Sequence, residues 1–152
     1  MMMELLKTAV KQPLKVNQLQ LSAAFTPSFE AGFHVNMEGP KAAVRDGSVF
    51  EYCRLTDTVI QAWSVLQHGY FKGNFVGKEE FAALNHVLND LAKKYQVTPT
   101  AIALAWVLRY PGKMQAIIGT TNPRHVLEAG KAAAVTLTRK EWYQIYLAAG
   151  ND

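Results

Sequence analysis

Short β-branched runs separated by helical segments constrain this chain more than any other feature. Val16-Asn17-Gln18-Leu19-Gln20-Leu21 alternates apolar with polar residues, which is the period of a strand. Thr58-Val59-Ile60-Gln61-Ala62-Trp63-Ser64 is more continuously apolar, as strands buried on both faces are. Met114 to Ile118 predicts a third strand and Ala132 to Val135 a short fourth. Helices fall between them. Glu4 to Val10 reads as one that stops before Pro13. Ser48-Val49-Phe50-Glu51 matches a capping box and opens a helix to about Arg54. Phe81, Leu84, Val87, Leu88 and Leu91 recur at helical spacing within Lys78 to Tyr95. Thr98-Pro99 starts a strongly apolar helix that Pro111-Gly112 ends, and Asn122-Pro123 starts another to about Ala129. Thr138-Arg139-Lys140-Glu141 is a second capping box, opening a last helix to about Ala149. Such alternation predicts an α/β architecture with a parallel sheet. A closed parallel barrel takes eight strands, so four leave either a small open sheet or half of something larger.

The chain has 152 residues, about one domain, with 49% hydrophobic and 18% charged residues, which suits a packed core rather than disorder. No apolar run reaches the ~18 residues of a membrane span. The N-terminus, MMMELLKTAV, lacks the basic and long apolar regions of a secretory signal and resembles the middle of a helix. The single cysteine, Cys53, rules out an intrachain disulfide, fits a reducing cytoplasm, and reads as a buried structural thiol. The net charge of +4 comes from scattered basic residues with no run of five, and no nucleic-acid-binding motif occurs. A solvated surface is therefore expected, although a basic bias also suits a phosphate-bearing small ligand. The stretch from Ser22 to Gly47 has no regular pattern; its Phe25, Phe29 and Phe33 can serve a pocket wall or plain packing.

The chemistry is narrowed by what is missing. His34, His68, His86 and His125 do not pair at i, i+4, and there is no CxxC or HExxH, so no metal site is expected. GxSxG and GxGxxG are also missing. What remains lies in the strands and at their ends: Gln18, then Trp63 and Ser64, then Gly119, Thr120, Thr121 and Asn122. In a parallel α/β fold, residues just past the strand C-termini gather on one rim where ligands bind. Each also has a structural reading: Gln18 as an outward strand residue, Trp63 as core, and Asn122 as an ordinary cap. A helix N-terminus offers amides and partial positive charge to an anion, without specificity.

In this order and spacing, the residues resemble an aldo-keto reductase, closest to the bacterial branch with the strand reading AWS. NQLQLS at 17–22 is similar to the fifth barrel strand, AWS at 62–64 to the end of the sixth, and IIGTTNP at 117–123 to the seventh strand and its cofactor-binding turn. The resemblance covers essentially the whole chain. It implies a (β/α)8 TIM barrel that binds NADP(H) without a doubly wound domain. Residues 1–152 then form the C-terminal half, about four βα units, strands five to eight. It implies that Gln18 bonds the nicotinamide carboxamide and that Trp63 stacks on the ring. Ser64 and Leu66, with the loop Gln67 to Gly77, then line the pyrophosphate. Gly119, Thr120 and Thr121 hold the adenosine ribose and its 2′-phosphate, with charge from Arg124 or His125 and with Glu128 near the adenine.

The chain also departs from the family pattern. Many members carry Lys where Gly119 stands and Arg where His125 stands, and Ala129 replaces a polar adenine contact. The family's Asp-Tyr-Lys-His tetrad comes from the first four strands and has no matching positions here. No residue is therefore assigned a catalytic role, and Asp57, His68 and Tyr70 gain none from the resemblance. The resemblance implies an oxidoreductase reducing small carbonyl compounds, with this half inactive alone. The alternative is a non-catalytic nucleotide-binding or oligomeric interaction module. A half-barrel would bare strand edges and inner aliphatic side chains. Its expected partner is therefore a second copy or the missing N-terminal half, with no nucleic acid or membrane.

Overall fold

The computed structural model describes residues 2–27, 48–69 and 72–151, without the side chains of Met2 and Ser48. Three strands form one parallel sheet in the order β1 (Val16–Gln20), β2 (Val59–Trp63), β3 (Met114–Ala116). Val16 pairs with Val59 and Gln20 with Trp63, while Ile60 pairs with Met114 and Ala62 with Ala116. Each successive strand returns through helices, as parallel pairing requires.

The alternation in β1 and β2 places two kinds of residue on two faces. Leu21, Ile60 and Ala62 are fully buried in the helix-covered core. On the same side, the Asn17 amide donates to the Cys53 thiol at 3.7 Å. The opposite face carries Gln18, Gln61 and Gln115 in one cross-strand row. Gln61 Nε2 donates to Gln115 Oε1 at 3.0 Å, and Gln18 and Gln115 are exposed. That face thus carries an amide row across its centre, where exposed aliphatic side chains were expected. Ile117, 37% exposed, and Val16, 45% exposed, are the large aliphatic exceptions.

The helices build the covered side. Helix α1 (Met2–Lys7) is tied to α2 (Ser48–Leu55) by Tyr52, whose hydroxyl donates to Glu4 and accepts from Lys7 at 2.9 Å. Phe50 and Cys53 of α2 are buried, in keeping with a structural thiol. The capping reading at Ser48 concerns a side chain outside the described ones. Helix α3 (Ala82–Tyr95) follows a one-turn 3-10 segment, Glu79–Phe81. Helix α4 (Pro99–Leu108) is apolar all round because it lies inside the core, with every residue from Ala101 to Val107 buried. The Thr98 hydroxyl caps it, accepting from the Ala101 amide at 3.2 Å.

Helix α5 (Pro123–Gly130) runs directly into a 3-10 turn, Lys131–Ala134. That turn occupies the place of the expected fourth strand, so the described residues hold three strands rather than four. Three alanines have poor strand propensity, and the turn tightens the end of α5 while burying Ala132 in the core. Helix α6 (Arg139–Ala148) opens with both halves of the predicted capping box. It is clamped to α4 by two tryptophans. Their rings stack at 4.7 Å, and each indole N–H donates to the other's carbonyl, at 3.0 and 3.1 Å. Among the described residues no helix is long and apolar enough to cross a membrane.

Candidate functional site

A cavity of about 640 Å³ opens at the C-terminal ends of β2 and β3. Its near wall is made by Trp63, Ser64, Leu66 and Gln67, and its far wall by Gly119, Thr120, His125 and Glu128. Its size is in the range of small-molecule sites.

The near wall depends on an unusual backbone. Ser64 has φ of 53°, a left-handed conformation that costs a non-glycine residue about 1–2 kcal/mol. It turns the chain sharply at the end of β2. The turn is held by Gln67, whose amide donates to the Ser64 carbonyl at 2.9 Å and whose Oε1 accepts from the Ser64 hydroxyl at 3.0 Å. The Ser22 hydroxyl, just past β1, donates to the Gln67 carbonyl at 2.5 Å. Two strand ends are thereby tied to one rim.

The loop that completes this wall is fixed from below by Asn85. Its Oδ1 accepts from the Gly77 amide at 2.7 Å, and its Nδ2 donates to the carbonyls of Phe75, Lys78 and Phe81 at 2.9, 3.0 and 3.1 Å. Asn74 and Val76, both lining the cavity, lie on the segment so held. Sequence reasoning missed Asn85. Its signal was a polar residue on the apolar stripe of α3, one turn after Phe81 and three residues before Leu88. It also missed Thr100 and Leu104 of α4, which form the cavity floor.

The far wall is the start of α5. The Asn122 side chain caps the helix, accepting from the Arg124 amide at 3.0 Å, while the Asn122 amide donates to the Thr120 hydroxyl at 3.2 Å. Pro123 has no N–H, so the helix start leaves few amides for an anion. Recognition there falls to side chains. Arg124 Nε pairs with Glu128 at 3.1 Å, and Arg124 is not part of the lining. His125 and Glu128 are. Nothing lies within 4 Å of where a Cβ on Gly119 would sit, which leaves that position open to a ligand.

Seven of the ten anticipated residues line this one cavity: Trp63, Ser64, Leu66, Gly119, Thr120, His125 and Glu128. Gln18, Thr121 and Arg124 do not. Gln18 stands on the open sheet face, paired with Gln61 two register positions before the Gln20–Trp63 pair. Tyr70 lies outside the described residues, as does the stretch 28–47 with Phe29, Phe33 and His34. Among the described residues no three His, Cys, Asp or Glu side chains are grouped so as to hold a metal.

The profile of the Aldo/keto reductase family matches residues 6–148. The chain belongs to the aldo/keto reductase family. A 6-dehydroglucose reductase of Agrobacterium fabrum is 31% identical over 150 residues, covering 97% of this chain and 43% of the relative. Among solved structures, the thermostable aldo-keto reductase Tm1743 in complex with the inhibitor epalrestat superposes with a TM-score of 0.63 at 21% identity. That match covers 95% of this chain and 43% of Tm1743. A Gox0644 mutant in complex with NADPH superposes with a TM-score of 0.60 at 18% identity, covering 95% and 42% of the two chains. This aldo/keto reductase chain spans less than half the length of these relatives.

Proposed function

We propose that the cavity binds NADP(H) and that residues 1–152 act as the cofactor-binding C-terminal half, strands five to eight, of a barrel-shaped carbonyl reductase. The observation that carries this reading is the convergence of seven cofactor-assigned residues on one strand-end cavity. NADPH, when bound, supplies a hydride to a small carbonyl compound. The flat side of Trp63 is the wall for the nicotinamide ring. Ser64, Leu66 and the Asn74–Val76 segment border the pyrophosphate. Gly119, Thr120 and Thr121 face the adenosine ribose. Glu128 neutralises Arg124, so His125 carries the preference for a 2′-phosphate. Gln18 reaches the carboxamide from the open sheet face.

The open face also supports the second half of the proposal. A parallel sheet is ordinarily covered on both sides, and here one side presents the glutamine row. In the working enzyme that side meets the N-terminal half of the barrel or, in this chain alone, a second copy. The Asp, Tyr, Lys and His of the family's proton-transfer machinery then come from outside these residues, and the chain alone binds cofactor without turnover. Its setting is the cytoplasm, where a lone buried thiol stays reduced.

Titration of NADPH against intrinsic tryptophan fluorescence tests the binding. Trp106 and Trp142 are buried, so quenching by NADPH should vanish in Trp63→Phe. NADPH should bind more tightly than NADH, and His125→Ala should narrow that gap. Unchanged fluorescence and melting temperature at millimolar NADPH would sink this reading in favour of a non-catalytic interaction module. Carbonyl reduction by the purified chain would overturn the split of labour. A monomer by light scattering would exclude the second copy as the cover.

A further inference from the structure

A second cleft, of about 350 Å³, lies where β3 begins rather than where it ends. It is lined by Arg109, Tyr110 and Pro111, just before the strand, and by Arg139, Trp142 and Tyr143 in the first turns of α6. Among the described residues its lining is one-sided: two guanidinium groups, three aromatic rings and a proline, with no carboxylate.

Both arginines carry their charge into the cleft without a carboxylate partner among the described residues. Arg109 donates from Nε to the Leu137 carbonyl at 2.9 Å, which anchors the group and leaves its terminal nitrogens outside that bond. Arg139 lies over the Tyr143 ring at 5.8 Å. Neither forms an ion pair with a carboxylate among the described residues, whereas Lys94, Lys113 and Arg124 all do. Two like charges brought to one cleft repel each other, and a bound anion removes that cost. The walls are already rigid. Trp142 stacks on Trp106 and on Tyr146, at 4.7 and 5.6 Å, and meets Tyr143 edge-on at 5.1 Å. Tyr110 is held against Phe50 at 4.9 Å.

We propose that this cleft is a ligand site separate from the strand-end cavity, and that it takes a small planar aromatic carboxylate. Guanidinium groups donate two parallel N–H bonds to a carboxylate, and aromatic walls favour a flat ring packed edge-on or offset. The volume suits one or two fused rings. A neutral ring would leave both arginines uncompensated, and a non-aromatic anion would leave the aromatic walls unmatched.

The test uses 2-naphthoate as the probe and its neutral counterpart 2-naphthylmethanol as the control. The chain is followed by calorimetry and by the three tryptophan indole N–H signals in an NMR titration. Saturable one-to-one binding of naphthoate is expected at about 1 mM or tighter, a strength in keeping with so small a ligand. The Trp142 signal should move and the Trp63 signal stay still. Saturating NADPH should leave the affinity unchanged. Arg139→Gln should weaken binding at least ten-fold with an unchanged melting temperature, because Arg139 is exposed. Arg109→Lys, which retains a cation, should weaken it less. The proposal is overturned by equal binding of the alcohol, by no saturable binding, by an unaffected Arg139→Gln, or by competition with NADPH and movement of the Trp63 signal. Failure of NADPH to bind at all bears on the strand-end cavity and leaves this test intact.

Discussion

On the helix side of the sheet, Leu21, Ile60 and Ala62 are fully buried in one core with α4, whose residues Ala101 to Val107 are buried to the last side chain. On the other side, Gln18, Gln61 and Gln115 stand in register, and one of their amide contacts is made at the surface. The first face is held by loss of water from apolar surface. The second is built from groups that water satisfies, so the chain avoids presenting a broad apolar patch there. Stability and unfinished business are therefore separated by the thickness of one sheet. Gln20 marks the boundary: its Nε2 is buried and lacks a partner among the described residues. A buried donor of this kind is costly, and a cover over the open face could satisfy it.

The largest test of this asymmetry is Trp106→Ala. It deletes a fully packed ring on the covered side, together with the stack and the reciprocal indole bonds to Trp142. A loss of about 3–5 kcal/mol is expected in a urea melt. A loss below about 1 kcal/mol would mean that the helix side does not carry the fold.

The polar lock on the same side comes next. Burial pushes the Glu141 carboxyl up. Lys94 at 2.6 Å, the Thr138 amide and hydroxyl at 2.7 and 2.8 Å, and the Tyr95 hydroxyl at 2.8 Å more than offset this and hold it at about 2. A carboxylate whose pKa is lowered on folding stabilises the protein fully above its unfolded pKa. That contribution is lost as pH falls through the folded value. Stability should fall by about 2–3 kcal/mol between pH 5 and pH 2 from this group. Glu141→Gln should flatten that part of the pH profile while lowering stability at pH 7. A variant that keeps the full acid dependence would place it elsewhere.

Asn85→Ala moves the comparison from the core toward the cavity. It takes away the acceptor of the Gly77 amide and a donor to three carbonyls, of which that of Lys78 still accepts from the Phe81 amide, at about 1–3 kcal/mol. Its distinctive effect is on the wall at Asn74 and Val76. Hydrogen exchange should speed up in residues 74–81 well beyond the global change. Exchange that rises uniformly would show that Asn85 serves the core alone.

These effects also mark what was legible in the sequence. The three strands, the apolar helix α4 and the caps at Thr98, Asn122 and Thr138 were readable because local chemistry and the native packing agree there. Ala132 to Val135 misled because a short apolar run carries no period of its own, and continuity with α5 decided its form. Seven of the residues that line the cavity were singled out by their order along the chain. Arg124 was not separable from His125 in sequence; only the helix geometry that aligns Arg124 with Glu128 four residues on takes it away from the cavity. Asn85 and the floor from α4 depend on contacts between distant segments, which spacing does not show. The amide row needed strand register as well as sequence, since Gln18, Gln61 and Gln115 lie far apart in the chain.

The smallest expected effect is the most informative about the open face. Gln61→Ala removes the Gln61–Gln115 hydrogen bond, which is exposed to solvent in the chain by itself. Water replaces such a bond almost fully, so stability should change by no more than about 0.5 kcal/mol. A much larger loss, of about 2 kcal/mol or more, would mean the row is already covered in solution. The loss would then depend on protein concentration if the cover is a second copy, because dissociation would be coupled to unfolding. A small, concentration-independent change leaves the face open and its amides waiting for a polar surface to pair with. Adding Gln115→Leu to Gln61→Ala sharpens the outcome. On an open face the double change stays near neutral in stability but lowers solubility by creating apolar surface. Against a polar cover it strands the partner's hydrogen-bonding groups and loosens the assembly.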